Sequence, residues 1–183
     1  MKFIETPLKG SYLIELDPFR DERGLFARAF CKNEFAKINH SKEFVQINHS
    51  VTVQKGSIRG LHYQVPPSCE IKLIRCIGGK VFDVIVDIRR DSLTFLNYFG
   101  IELSERNMKM IYVPQGFAHG FQTLAPNSQL IYHHSSYFNS KDERGIRYSD
   151  PLIGIKWPLK PSVVSQKDKN YDLLDRQFGG ITL

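Results

Sequence analysis

Two stretches with one histidine each stand out in this 183-residue chain: Arg59-Gly60-Leu61-His62-Tyr63-Gln64 and Pro114-Gln115-Gly116-Phe117-Ala118-His119-Gly120-Phe121. Each places its histidine among glycines and apolar residues. In a chain rich in strands, such residues line an internal cavity, because alternate side chains of a strand point to the same face. The two stretches therefore predict a strand-built cavity that contains His62 and His119.

The spacing within these stretches resembles the two signature segments of cupin proteins. The first runs from Gly56 to His62, and the second has a proline, a glycine two residues later and a histidine three residues after that. A metal-binding cupin requires a second histidine two residues after the first, and that position is Gln64. Because one imidazole and one amide are too few ligands for a transition metal, we predict a metal-free cavity. Its histidines are then available for proton transfer.

Short runs of β-branched and aromatic residues recur along the chain, separated by turn residues such as Gly78-Gly79. The segment 81–87 is almost continuously apolar, which is typical of a strand buried in a sandwich. The predicted strands are 12–16, 43–49, 71–77, 80–88, 98–103, 109–113 and 129–135. Only 33–38, with Asn33 as its cap, and 171–176 have a helical pattern. The sequence predicts an all-β jelly roll or barrel that forms one domain over residues 1–183.

Composition limits the classes of partner. The net charge is +6, but no basic run exceeds two residues and no nucleic-acid motif accompanies the charge. A small anionic substrate, such as a nucleotide or diphosphate, explains this balance more simply than nucleic acid. The three cysteines are odd in number, which favours free thiols in a reducing cytoplasm. No apolar run is long enough for a membrane span and no N-terminal signal is present, so we expect a cytoplasmic protein without a membrane partner.

Further motifs occur in a fixed order along the chain. They include Asp21-x-Arg23-Gly24-x-Phe26, Gln46-x-Asn48-x-Ser50, Lys72-Leu73, Glu143-Arg144-Gly145 and Ser165-x-Lys167-Asp168. Together with the two histidine stretches, they resemble the dTDP-4-dehydrorhamnose 3,5-epimerase family of nucleotide-sugar epimerases. The resemblance implies a cupin jelly roll, a homodimer formed partly by strand exchange, and no metal or organic cofactor. The implied substrate is a nucleotide diphosphate linked to a 4-keto-6-deoxyhexose.

Epimerisation beside a ketone removes a proton and returns one to the opposite face of the sugar. An imidazole titrates near neutral pH, so His62 is a suitable base. By resemblance, Asp168 pairs with His62, Lys72 lies near the keto oxygen, and Tyr132 donates the proton from the opposite face. From the residues alone, His62 and Tyr132 could equally be core residues, Asp168 a turn residue and Lys72 an exposed strand lysine.

The resemblance also implies a set of substrate-binding residues. Arg23 and Arg59 match positions that bind the diphosphate, a role suited to the guanidinium group. Gln46 and Asn48 alternate along one strand, so both can point into one pocket. The remaining implied ligand contacts are Phe26, Arg28, His119, Phe138, Glu143 and Lys167. His133 and His134 match no family role, and we treat them as ordinary polar residues that face opposite sides of a strand.

Three positions depart from the family pattern. Arg28 stands where a glutamate commonly lies near the thymine, Phe138 where a tyrosine usually stacks on the base, and Glu70 where glutamine is frequent. A guanidinium suits cytosine, whose N3 accepts a hydrogen bond, so a 5-epimerase acting on a CDP-linked sugar is one alternative. Arg28 is equally suited to phosphate or to the surface.

Two other classes of function share this frame. One is a nucleotide-sugar ketoisomerase, and the other is a non-catalytic sugar-binding cupin. The joint presence of His62, Lys72, Tyr132 and Asp168 favours an epimerase of deoxysugar and cell-surface polysaccharide biosynthesis.

Overall fold

The computed structural model describes residues 1–183 and contains thirteen strands and two short helices. The strands are β1 (Lys2–Glu5), β2 (Tyr12–Glu15), β3 (Phe19–Asp21), β4 (Gly24–Phe26), β5 (Gln46–Thr52), β6 (Ile58–Gln64), β7 (Lys72–Gly78), β8 (Lys80–Asp87), β9 (Tyr98–Ser104), β10 (Met110–Val113), β11 (Phe117–Thr123), β12 (Ser128–His134) and β13 (Glu143–Gly145). The helices are α1 (Lys32–Phe35) and α2 (Gln166–Lys169).

Most strands belong to two antiparallel sheets. A six-stranded sheet has the order β1-β2-β10-β7-β12-β5, and a five-stranded sheet has the order β13-β6-β11-β8-β9. Strands β3 and β4 form a separate hairpin. Neighbouring strands are mostly distant in sequence, as in a jelly roll, where long connections cross between two sheets. The prediction of an all-β jelly roll with short peripheral helices is confirmed.

Apolar residues form three layers around the sheets. The central layer joins the facing sides of both sheets and includes Ile74 from β7, Ile85 from β8 and Phe121 from β11. A second layer covers the outer side of the five-stranded sheet, and a third, which includes Phe35 of α1, covers the outer side of the six-stranded sheet. Strand β8 contributes to the central and second layers, which explains its nearly continuous apolar sequence.

The strand predictions hold where β-branched residues dominate. All seven predicted segments overlap observed strands, although 43–49 begins three residues before β5. Strands β6 and β11, which carry the two histidine motifs, were absent from that set. Their glycines lower the β-propensity of both segments.

Both helix predictions need correction. Cys31, and not Asn33, occupies the N-cap of α1, and no side chain caps this helix, which continues as a 3-10 turn over Ala36–Ile38. The predicted helix at 171–176 is absent. The chain instead forms α2 before it, where the Ser165 hydroxyl accepts a hydrogen bond from the Asp168 amide at 3.0 Å. This cap fixes the start of α2.

The structure also bears on the predictions about the cysteines and about a membrane span. The three cysteines are free thiols, as predicted from their odd number. No helix of the structure has the length and apolar character needed to cross a membrane.

Candidate active site

A cavity of about 740 Å³ lies between the two sheets. Its walls carry all but three of the site residues predicted from the sequence. The predicted residues that do line the cavity are His62, Lys72, Tyr132, Asp168, Gln46, Asn48, Arg59, His119, Phe138, Glu143 and Lys167. Side chains separated by more than a hundred positions in the sequence therefore meet in one place.

The three remaining residues do not line this cavity. Arg23 and Phe26 belong to the exposed β3–β4 hairpin, where the Arg23 side chain is 83% exposed and pairs with Asp21 of the same hairpin. Arg28 follows the hairpin, and its Nη1 pairs with Glu34 Oε1 at 3.1 Å. Within one chain, the hairpin and the segment that follows it lie outside the cavity, so the prediction that these three residues join the others is not met there.

A β-bulge in β6 brings Arg59 and His62 to the same wall. In a regular strand, residues three apart face opposite sides. Here Arg59 pairs with Phe121 and His62 pairs with His119, so β6 has one more residue than β11 between the two pairs. The bulge brings the backbones so close that a Cβ on Gly60 would lie 2.7 Å from Gly120 Cα. The extra residue returns His62 to the cavity face.

Asp168 holds the His62 ring. His62 Nε2 lies 2.7 Å from Asp168 Oδ1, while the Gly60 amide donates to Asp168 Oδ2 at 3.2 Å. Burial by itself raises the pKa of Asp168, but hydrogen bonds from His62 and the Gly60 amide outweigh it and hold this pKa below its ordinary value. Asp168 is therefore an ionised acceptor, and His62 Nε2 carries the proton. The sequence prediction that Asp168 pairs with His62 agrees with this geometry.

Tyr132 and His119 lie deeper in the cavity, with ring centroids 5.9 Å apart. His119 Nε2 contacts Asp83 Oδ2 at 2.9 Å, and the Asp83 side chain is fully buried. Burial raises the pKa of Asp83. Burial, followed by the nearby Asp83 carboxylate, also raises the pKa of the Tyr132 phenol. Tyr132 therefore keeps its proton at neutral pH and is available as a donor.

Lys72 is buried beside Glu70 and His134, two residues that the sequence analysis did not assign to the cavity. Lys72 Nζ lies 3.1 Å from Glu70 Oε1 and 3.5 Å from the His62 carbonyl. The other Glu70 oxygen lies 2.7 Å from His134 Nδ1. Glu70 and His134 both line the cavity, where the sequence analysis did not place them. Strand alternation was a usable signal, because His134 and Tyr132 share one face of β12.

The outer part of the cavity is polar and accessible. Arg59 Nε donates to Thr52 Oγ1 at 2.9 Å, which leaves much of its guanidinium exposed at the cavity. Lys167 pairs with Glu143, and this contact raises the pKa of Lys167. Phe138 is also exposed here. Two basic side chains and an aromatic ring in the wall of one cavity suit a ligand with phosphates and a flat base.

The full sequence is similar to one protein family. The sequence model of the family described as dTDP-4-dehydrorhamnose 3,5-epimerase matches residues 5–176. A dTDP-4-dehydrorhamnose 3,5-epimerase from Shigella flexneri is 42% identical over 180 residues, which cover 93% of this chain and 94% of that protein. The enzyme of the same name from Salmonella typhimurium is 39% identical over 177 residues, covering 96% and 97%.

Solved structures agree with this similarity. The crystal structure of the Bacillus anthracis dTDP-4-dehydrorhamnose 3,5-epimerase with TDP and PPi bound superposes with a TM-score of 0.91 at 38% identity, covering 94% of this chain and 99% of that one. A Legionella pneumophila epimerase in complex with dTDP-4-keto-L-rhamnose gives a TM-score of 0.91 at 35% identity, covering 99% and 97%.

Proposed function

The chain belongs to the dTDP-4-dehydrorhamnose 3,5-epimerase family, and on that premise we propose that its cavity inverts C3 and C5 of a dTDP-linked 4-keto-6-deoxyhexose through an enolate. The observation that carries the proposal is the position of the acid and the base on different sheets. His62 extends from β6 of the five-stranded sheet, and Tyr132 extends from β12 of the six-stranded sheet. A sugar ring held between the sheets presents one face to each residue.

His62 acts as the base through Nδ1. Its Nε2 is bound to Asp168, and Nδ1 has no hydrogen-bond partner within the protein. The Asp168 carboxylate fixes this tautomer and stabilises the imidazolium that forms when Nδ1 accepts the carbon-bound proton. General bases of this kind accelerate proton transfer by about 10²–10⁴-fold.

Lys72 stabilises the enolate oxygen. Removal of a proton beside the ketone moves negative charge onto the C4 oxygen, and a buried ammonium group near that oxygen lowers the barrier because it needs little reorganisation. Tyr132 then delivers its proton to the carbon from the opposite wall, and the configuration of that carbon is inverted. His62 then releases its proton to solvent and Tyr132 regains one from solvent, after which the same three groups can act on the other carbon adjacent to C4.

Arg59, Lys167 and Phe138 bind the nucleotide at the accessible side of the cavity. The two cations bind the diphosphate and the phenyl ring stacks on the base. The CDP alternative depended on Arg28 facing the base. Arg28 pairs with Glu34 and lies outside the cavity of its own chain, so within one chain nothing favours cytosine. We propose dTDP as the nucleotide because the family and its relatives are named for dTDP-linked sugars.

The decisive experiment is incubation of the protein with dTDP-4-keto-6-deoxyglucose in D₂O, followed by NMR. Epimerisation at both carbons incorporates deuterium at C3 and C5 and produces the L-configured sugar. Deuterium at only one carbon would restrict the activity to a single inversion. Migration of the carbonyl from C4 to C3 would instead identify a ketoisomerase, and absence of any exchange would favour a binding protein.

We also propose that two copies form the active dimer that the family resemblance implies. The β3–β4 hairpin exposes Phe19, Leu25 and Phe26 by 66%, 49% and 74%. Strand β5 is the edge of its sheet, and its outward side chains Ile47 and Val51 are 63% and 49% exposed. Exposed apolar groups on a hairpin and an edge strand favour association with a second chain. In the dimer, Arg23 and Phe26 complete the cavity of the partner copy.

Subunit complementation tests this arrangement. Arg23→Glu and His62→Ala are each expected to be inactive alone. After co-refolding, a symmetric dimer that shares its sites regains about a quarter of the wild-type activity, because half the dimers are mixed and each mixed dimer has one intact site. A mixture of His62→Ala with Asp168→Asn is the matched control and gives no recovery. Recovery in neither mixture would show that Arg23 does not contribute to the site of the partner copy.

A further inference from the structure

A continuous row of hydrogen bonds crosses three neighbouring strands of the six-stranded sheet. The Phe138 amide donates to Gln46 Oε1 at 3.1 Å, and Gln46 Nε2 donates to Asn48 Oδ1 at 3.2 Å. Asn48 Nδ2 lies 3.3 Å from His134 Nε2. His134 Nδ1 lies 2.7 Å from Glu70 Oε2, and Lys72 Nζ lies 3.1 Å from Glu70 Oε1. The row thus links the nucleotide side of the cavity to the lysine at the keto oxygen.

The two ends of the row determine the direction of every bond. A backbone amide and an ammonium group can only donate. Starting from Phe138, Gln46 accepts with its oxygen and donates with its nitrogen, and Asn48 does the same. His134 must therefore accept at Nε2 and carry its proton on Nδ1, which donates to Glu70. The bonds from both ends run toward the Glu70 carboxylate.

Only a carboxylate can occupy position 70 without a conflict. Both Glu70 oxygens accept, one from His134 and one from Lys72. A glutamine would accept on one side and donate on the other. If it donated to His134 Nδ1, the imidazole proton would move to Nε2, and the amides of Asn48 and Gln46 would turn until two donors met at the Phe138 amide. If it donated toward Lys72, two donors would meet there instead.

The charged end of this row is buried, so a lost hydrogen bond there is costly. The side chains of Glu70, Lys72 and His134 are only 9%, 10% and 10% exposed. Burial by itself raises the pKa of Glu70, but the bond from His134 and the Lys72 charge outweigh it and lower this pKa. Glu70 is therefore ionised, and water does not replace a lost partner easily.

We propose that Glu70 and His134 are positioning residues that hold the Lys72 ammonium at the keto oxygen and connect its position to the side-chain amides of Gln46 and Asn48 on β5. Lys72 has a flexible four-carbon stem, so a fixed acceptor is needed to keep its charge in one place. The role of Lys72 rests on the proposed function. The row itself, and the His134 tautomer that it requires, follow from the geometry alone.

The first test measures the His134 tautomer and needs no substrate. Long-range ¹H–¹⁵N correlation NMR of the wild-type protein, with His134 assigned by comparison with His134→Leu, is expected to show a neutral ring protonated at Nδ1. In Glu70→Gln the amide oxygen is expected to stay with the charged Lys72 donor, so the amide nitrogen faces His134 and the imidazole proton moves to Nε2. A wild-type ring protonated at Nε2 would overturn the proposal, whatever the outcome of the activity assay and even if Glu70→Gln did not fold.

The second test measures coupling between the two residues. Glu70→Gln is expected to lower kcat about 10–100-fold and His134→Leu about 10-fold, while the Kd of free dTDP changes less than about 3-fold, because the lysine acts on the transition state. In the double variant, which combines Glu70→Gln with His134→Leu, no imidazole N–H remains to compete for the glutamine oxygen. Its kcat should therefore be close to that of His134→Leu and not the product of the two losses.

Glu105→Gln is the matched control, since Glu105 is exposed between β9 and β10 and does not line the cavity, and it is expected to leave kcat unchanged. Multiplicative losses in the double variant, or equal losses in kcat and dTDP affinity, would reject a positioning role. An inactive wild type would instead reject the proposed function and leave the tautomer result to decide the row.

Discussion

Asp168→Asn is the substitution that most directly tests the catalytic geometry. The carboxylate accepts two hydrogen bonds at once, from His62 Nε2 at 2.7 Å and from the Gly60 amide at 3.2 Å. An asparagine has one acceptor and one donor at these positions. It can therefore satisfy only one of the two partners.

Both orientations of the amide impair the base. If its oxygen faces His62, the buried Gly60 amide meets a donor and the imidazolium loses its counter-charge. If its nitrogen faces His62, the imidazole proton moves to Nδ1, which can then no longer accept a proton. Loss of a hydrogen bond to a charged group costs about 1.5–3 kcal/mol, and the wrong tautomer adds to this, so we expect kcat to fall by about 10²–10⁴-fold.

The assay is deuterium exchange and epimerisation by NMR, with dTDP affinity measured by calorimetry. The affinity for dTDP should stay near that of the wild type, because Asp168 contacts the catalytic base His62 and does not contact the nucleotide. Asp172→Asn, four residues away and exposed, is the matched control. Retention of activity within about 3-fold in Asp168→Asn would refute the role of the pair.

Further outcomes follow from other residues. His62→Ala should lose nearly all exchange and inversion while still binding dTDP, and exchange at the wild-type rate would exclude His62 as the base. Tyr132→Phe should allow exchange but yield little inverted product, whereas undiminished epimerisation would exclude Tyr132 as the donor. Competitive calorimetry should favour dTDP over CDP, and a CDP preference abolished by Arg28→Glu would restore the cytosine alternative. Burial by itself raises the pKa of Asp87, but hydrogen bonds from Arg89, Ser92 and Thr94 outweigh it and hold this pKa below its ordinary value. The ionised Asp87 carboxylate therefore stabilises the fold at pH values above its unfolded-state pKa. This contribution is lost as the pH falls through the folded-state pKa. Asp87→Asn should therefore lower the free energy of unfolding by about 3 kcal/mol at neutral pH, with the difference shrinking in acid; a difference that grew in acid would contradict this sign.

Local sequence patterns were sufficient for much of the fold. An almost continuous apolar run such as the one in β8 is typical of a buried strand, so these runs predicted the individual strands. They did not predict which strands pair. The helix near the C-terminus was misplaced, although Ser165 three residues before Asp168 is a recognisable capping spacing.

The parts of the site that sequence could not provide depend on strand pairing. The bulge at Gly60 exists only relative to β11, so spacing alone suggests that Arg59 and His62 face opposite sides. Glu70 and His134 are separated by 64 positions, and they meet because His134 pairs with Lys72 across β12 and β7. Resemblance to a family supplied the shared catalytic residues but gave no role to residues that depart from it.

The position of the acid and the base on facing sheets makes the size of the substrate a property of the whole molecule. Facing sheets are held about 10 Å apart by the side chains between them, and here those are the apolar residues of the central layer, most of which do not line the cavity. Exchange of residues at the cavity wall alters which groups a ring meets, but not the gap into which the ring fits. Engineering this protein toward a bulkier sugar would therefore begin with residues such as Ile85 and Leu130, which belong to the central layer and do not line the cavity.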